Sequence, residues 1–330
     1  MARKIIGTQR ADRIQQGDNI NNTELRVFSL GGNDTIILDR DDDFGGRNFV
    51  DAGTGNDRVV SLKEDGNTIK LGKGNDLYAS TGFGSFASER ADTVRAGGGN
   101  DTIAVSTFKS KYFGDGGKDT FFSVGQQNTF NGGSGIDSIS YLPRDDDNVV
   151  GGTGVSIDLG AGLAQTGSSR FEKLVSIENA SGTNVRDVIF GSKGANVLNG
   201  LRGDDDIAGR AGKDMLVGGL GQDVLRGDGG GDRFDFNLKT ESAAGASRDV
   251  ILDFTRNEGD RIDLRDIDAS AKQGGNQAFK FIGGSEFSGK AGQLRFDDGI
   301  VSADINGDRA ADFSIDVRGP STMFSGDFLL

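Results

Sequence analysis

From Gly182 to Asp235 the polar and apolar positions recur with a period of nine, as GTNVRDVIF, GSKGANVLN, GLRGDDDIA, GRAGKDMLV, GGLGQDVLR and GDGGGDRFD follow one another without a gap. Each of these repeats has Gly at position 1, Asp or Asn at position 6 and Ile, Leu or Phe at position 8. The six Gly-rich residues predict a tight turn and the last three a short strand. In that strand Ile189, Leu198, Ile207, Leu216, Leu225 and Phe234 point inward while their neighbours point out. Two repeats make one coil. Turns on one edge therefore lie two repeats apart, with Asp187, Asp205 and Asp223 on one edge and Asn196, Asp214 and Asp232 on the other.

A looser form of the same pattern runs through residues 22–140. LGGNDTII, GTGNDRVV, GKGNDLYA, GGGNDTIA, DGGKDTFF and GSGIDSIS place Asp34, Asp57, Asp76, Asp101, Asp119 and Asp137 at spacings of 18 to 25. NFVDA, NTIKL, DTVRA, KYFGD and NTFNG precede them as second strands with inward Val50, Ile69, Val94, Tyr112 and Phe130, and the surplus length goes into loops. Only one edge keeps the Asp motif here. The pattern predicts an all-β chain, a parallel β-roll or β-helix stapled by calcium with an antiparallel carboxyl-terminal cap. It divides into an irregular roll (1–140), a connecting segment (141–181), the nonapeptide array (182–235) and the cap (236–330).

In the connecting segment YLPRDDDNVV reads as a surface loop, and its Asp145, Asp146 and Asp147 as a solvated turn in preference to a cation site. Val175 and Ile177 read as inward strand positions. In the cap, QLRFDD, GIVSADI and ADFSIDV alternate as strands of an antiparallel cover for the open end of the roll. Asp304, Asn306 and Asp308 have the DxNxD spacing of a calcium loop. Arg309 stands where an EF-hand has Gly and no Glu closes it, so a hairpin turn is the favoured reading over a cation site.

Composition decides what holds such a chain together. Only 34% of residues are apolar, Gly takes 55 positions and the net charge is −13, so an ordinary core is under-supplied. There is no Cys to form disulfides and no His for imidazole catalysis or zinc binding. The charge calls for cations and argues against nucleic acid, which demands a basic footprint. Carboxylates with turn carbonyls suit calcium, whereas magnesium keeps its waters and softer metals want nitrogen or sulfur. The candidate ligands for several calcium ions are the side chains of Asp187, Asp205, Asp214, Asp223 and Asp232 and the turns at Gly200, Gly203, Gly209, Gly212, Gly218, Gly221 and Gly227. Asp34, Asp57, Asp76, Asp101, Asp119 and Asp137 complete the set. No run is long and apolar enough for a membrane span, and the amino terminus shows no signal-peptide pattern.

These nonapeptides resemble the repeats of the repeats-in-toxin (RTX) proteins, which include cytolysins, lipases, alkaline proteases, epimerases, adhesins and free-standing calcium binders. The stretch after the array, ending in Asp327-Phe328-Leu329-Leu330, resembles the carboxyl-terminal domain of secreted alkaline proteases, which carries their uncleaved type I secretion signal. The resemblance implies an extracellular or surface-associated protein that engages the type I secretion machinery. Enzymes of the family carry a separate catalytic domain, and neither HExxH nor GxSxG occurs here. The expectation is a non-enzymatic calcium binder acting at a cell surface, in a matrix or on a host, with extracellular polysaccharide as a partner. The alternative is a calcium-assisted polysaccharide lyase or glycosidase on the same scaffold.

Overall fold

The computed structural model describes residues 2–16, 24–39, 46–62, 66–80, 91–147 and 151–330, and the loops expected to take up surplus length in the first half fall largely outside them. The chain forms two compact units, residues 1–151 with 162–179, and residues 152–161 with 180–330. Residues 141–181 are divided between the two, and the nonapeptide array lies in one unit with all that follows it.

In the first unit each coil contributes one strand to each of two parallel sheets. Val27, Val50, Ile69, Val94, Tyr112, Phe130 and Leu174 lie in register on one sheet. Ile36, Val59, Tyr78, Ile103, Phe121 and Ile139 do so on the other. All are buried, so the sparse apolar residues are concentrated into two facing columns. The columns widen toward aromatic residues, where Tyr112 stacks on Phe130 at 5.3 Å and Phe121 meets Phe130 edge-on at 5.4 Å.

The far end of this unit departs from the coil pattern. Strand Leu163–Gly167 runs antiparallel to Arg170–Val175, which pairs in parallel with Thr129–Gly135. Asp145 and Asp146 belong to a short 3-10 helix, Leu142–Asp146, whose Arg144 is buried and donates to the carbonyls of Val124 (3.0 Å) and Thr166 (2.9 Å). Buried Glu172 accepts from Ser123, Asn128 and Tyr141 at 2.9–3.0 Å, so the charges enclosed here have hydrogen-bond partners.

The second unit repeats the two-sheet plan. Ile157, Ile189, Ile207, Leu225 and Ile251 form one inward column. Ala180, Leu198, Leu216, Phe234, Ile262 and Phe328 form the other, to which the carboxyl-terminal strand Phe328–Leu329 contributes the last rung. Strands Gln293–Asp297, Ile300–Asp304 and Phe313–Val317 make the antiparallel part of the cap. Phe313–Val317 also pairs in parallel with Asp249–Ile251, which joins cap and roll in one sheet. No helix among the described residues is long and apolar enough to cross a membrane.

Candidate metal centres

Where turn meets strand, position 6 of each repeat stacks on its equivalent in the next coil. The peptide N–H of Asp187 donates to Oδ1 of Asp205 (2.7 Å), that of Asp205 to Asp223 (2.9 Å) and that of Asp223 to Asp249 (2.9 Å). On the opposite edge Asn196, Asp214, Asp232 and Asp260 are linked in the same way at 2.8–2.9 Å. The first unit carries one such ladder, from Asp12 through Asp34, Asp57, Asp76, Asp101 and Asp119 to Asp137, at 2.7–2.9 Å.

Apart from half-buried Asp12, these carboxylates are at most 3% exposed. Their second oxygen is different from the first. Oδ2 of Asp34, Asp57, Asp76, Asp101, Asp119, Asp137, Asp205, Asp214, Asp223, Asp232 and Asp249 is buried with no hydrogen-bond partner among the described residues. A buried carboxylate oxygen without a partner is costly, and a cation satisfies it.

The turn is shaped around that oxygen. A Cβ at Gly200, Gly209, Gly218 or Gly227 would overlap Oδ2 of Asp205, Asp214, Asp223 or Asp232, the carboxylate of its own turn, and Gly114 and Gly132 stand likewise to Asp119 and Asp137. Before Asp34, Asp57, Asp76 and Asp101 the same position holds Ser29, Ala52, Leu71 and Ala96, all buried, so a side chain shares the turn interior there. Gly203, Gly212 and Gly221 have φ of 119°, 144° and 148°, and a Cβ on Gly221 would strike the carbonyl of Gly203 one coil away. Coils can approach this closely only through glycine.

Burial pushes up the carboxyls of Asp57, Asp101, Asp119, Asp205, Asp214, Asp223, Asp232 and Asp249, and neighbouring carboxylates push them further. Asp57, Asp119, Asp214 and Asp223 rise to about 6, Asp101 and Asp232 to about 7, and Asp205 to about 8. Asp249 reaches about 9, from burial and then from the charge of Asp223. Among the described residues no three Asp, Glu, His or Cys side chains gather around one point. A calcium shell of about six to eight oxygens would therefore combine Asp205, Asp214, Asp223 or Asp232 with carbonyls of the glycine turns. The donor set fits that ion.

Three turns are already closed by a hydroxyl residue that bonds the position-6 side chain. Asp187 accepts from the Thr183 N–H (2.6 Å) and hydroxyl (3.0 Å) and from the Val155 N–H (2.6 Å), so the carboxylate named with the other ligands is held by protein donors. Thr8 holds Asp12 by its N–H (2.6 Å) and hydroxyl (3.2 Å), and Ser192 holds Asn196 at 2.6 and 3.2 Å. Each closed turn has a hydroxyl residue at position 2, and each begins a ladder.

The other edge of the first unit carries a ladder low in charge. Asn48, Asn67, Asp92, Ser110 and Asn128 each accept the N–H of the preceding rung, Leu25 at the start, at 2.7–3.1 Å. A further exposed ladder joins Asn33, Asn56, Asn75 and Asn100 at 2.8–2.9 Å. Sequence reasoning missed both, although the Asn of each GND triplet and the polar residue before each second strand were visible. Asp304 accepts from the Gly307 and Arg309 N–H groups, and Asn306 from that of Asp308, within the loop that joins two antiparallel strands.

Fold and site together define a parallel β-roll with cation-ready turns. The sequence model of the RTX calcium-binding nonapeptide repeat matches residues 44–61, 86–105, 181–216 and 209–238, and the chain thus carries RTX calcium-binding repeats in both units. No curated protein sequence matches it. Among solved structures it is similar to a subunit of the mannuronan C5-epimerase of Azotobacter vinelandii, determined in solution, at 26% identity over 44% of this chain and 78% of that one, with a TM-score of 0.33.

Proposed function

We propose that this is a secreted, non-enzymatic calcium-binding protein that folds as it takes up calcium outside the cell and acts at a cell surface, in a matrix or on a host. The observation that carries the reading is the column of buried carboxylate oxygens without protein partners, set in glycine turns of RTX type. Without the ion these oxygens oppose folding; with it they hold successive coils together. Extracellular calcium modules bind at roughly 10⁻⁴ to 10⁻³ M, so such sites stay empty in cytosol and fill outside. Circular dichroism of the full chain is expected to show little β structure in chelator and a cooperative gain on millimolar calcium. A spectrum in chelator as β-rich as in calcium would sink the proposal. The non-enzymatic part rests on the lack of any His or Cys and on the structural employment of the buried acids. Release of reducing ends or unsaturated uronates from a polysaccharide panel would refute it.

A further inference from the structure

We infer that Asp249 ligates a further calcium ion one coil beyond the nonapeptide array, on the edge of Asp205 and Asp223. The inference deepens the proposed calcium binding and rests on it. No nonapeptide precedes Asp249; the chain arrives through Ser242–Arg248, so periodicity alone does not single it out. The structure nevertheless makes it a rung. Its Oδ1 accepts the Asp223 N–H at 2.9 Å, and its own N–H donates to the Ser242 hydroxyl at 2.8 Å, which in turn donates to the Ser314 carbonyl at 2.6 Å.

Asp249 is fully buried, and its Oδ2 has no hydrogen-bond partner among the described residues. A cation would satisfy that oxygen, which no donor among the described residues reaches. The surroundings are anionic, with Asp223, Glu241 and Asp204 all acting on Asp249. The rung at the same level on the opposite edge provides the contrast: Asp260 accepts the Asp232 N–H on Oδ1 (2.9 Å) and the Thr255 N–H on Oδ2 (2.7 Å), so both its oxygens are used. An ion at Asp249 would tie the array to the cap, since Asp249 pairs with Ile315 of strand Phe313–Val317. Oxygen donors without nitrogen or sulfur favour calcium here as in the array.

The test counts ions. In equilibrium dialysis of the full chain against radioactive calcium, Asp249→Asn is expected to bind one ion fewer than the unsubstituted protein, and Asp260→Asn the same number. Asn keeps the oxygen that accepts the Asp223 N–H, as Asn196 does for its own turn. Unchanged stoichiometry in Asp249→Asn overturns the inference. If that variant does not fold in calcium, crystals of the unsubstituted protein soaked in terbium answer the same question. An anomalous peak about 2.3–2.6 Å from Asp249 Oδ2 is expected. Peaks at Asp205 and Asp214 without one at Asp249 overturn this inference alone, and absence of peaks throughout overturns the calcium reading with it.

Discussion

A ladder aspartate divides its oxygens between two tasks: Oδ1 holds the next peptide in register, and Oδ2 waits for a cation. This division makes the ion-free protein sensitive to pH in a direction opposite to ordinary acid denaturation. Asp205, Asp232 and Asp101 have folded-state values of about 8, 7 and 7, above the ordinary 3.8. Their protonated forms favour the folded state, so stability is complete below about pH 4 and is lost as pH rises through 7 to 8. Calcium-stripped protein is therefore expected to be more folded by circular dichroism at pH 5 than at pH 8; the reverse trend would show that these carboxyls are not buried before the ion binds. In calcium the dependence inverts, because the ion needs ionised oxygens. Position matters as much as charge. Replacing Asp214 and Asp223 together by Ala is expected to lower calcium stoichiometry and cooperativity in isothermal titration far more than replacing Asp145 and Asp146, which belong to the 3-10 helix. Asp187→Ala is expected to cost less calcium than Asp214→Ala, since Thr183 already occupies its carboxylate. Equal losses would mean that hydroxyl closure does not exclude the ion.

Strands of two to seven residues become stable elements only by stacking, and stacking requires that each rung match the next. The inward residues were legible in the sequence because period-two alternation and the nine-residue repeat fix them locally: Val50, Ile69, Val94, Tyr112 and Phe130 all face the interior. The position-6 ladders were legible for the same reason. What was hidden depends on partners far along the chain. Thr183 closes its turn on Asp187 and Ser192 on Asn196, but nothing in a Gly-Thr or Gly-Ser pair announces a closed turn. Leu163–Gly167 and Arg170–Val175 end one unit, yet their sequence reads only as part of a connecting segment with strands, because Glu172 finds its partners Ser123 and Asn128 more than forty residues away. Asn48 and Asn67 were read only as strand starts. Their ladder predicts a stability effect separate from calcium. Asn67→Ala removes the acceptor of both the Asn48 N–H and side-chain amide, each at 3.1 Å, and is expected to cost about 1–3 kcal/mol for buried groups left unsatisfied. Denaturant midpoints in saturating calcium should fall while the number of bound ions stays the same; a loss of ions would assign this edge to calcium as well.

At the level of the whole molecule, the carboxyl terminus has a structural role that the export role proposed for it must accommodate. In the folded second unit it is structural: Phe328 stacks on Ile262, and buried Asp327 is paired with Arg256 at 2.6 and 2.7 Å; burial raises this carboxyl, but the Arg256 pairing, the Phe324 N–H and the charge of Arg261 together hold it below its usual range. A tail built into the last rung is accessible to an export channel only before folding. The proposed calcium dependence supplies that order, since sites of extracellular affinity remain empty in the cytosol and leave the chain open to threading. Folding on the outer side would then oppose back-sliding and close the tail into the roll. Deleting the last four residues removes one rung and the Arg256 pairing, whereas removing residues 271–330 also takes away the Phe313–Val317 strand on which Asp249–Ile251 pairs. Expressed with a matching type I exporter, the short deletion is expected to weaken secretion and the long one to abolish it, measured as protein in the medium. The short deletion should also lower the thermal midpoint in calcium, because burying a Phe side chain contributes about 1.5–3 kcal/mol. Normal export of the long truncation would place the signal elsewhere in the chain and leave Asp327 and Phe328 with a purely structural role.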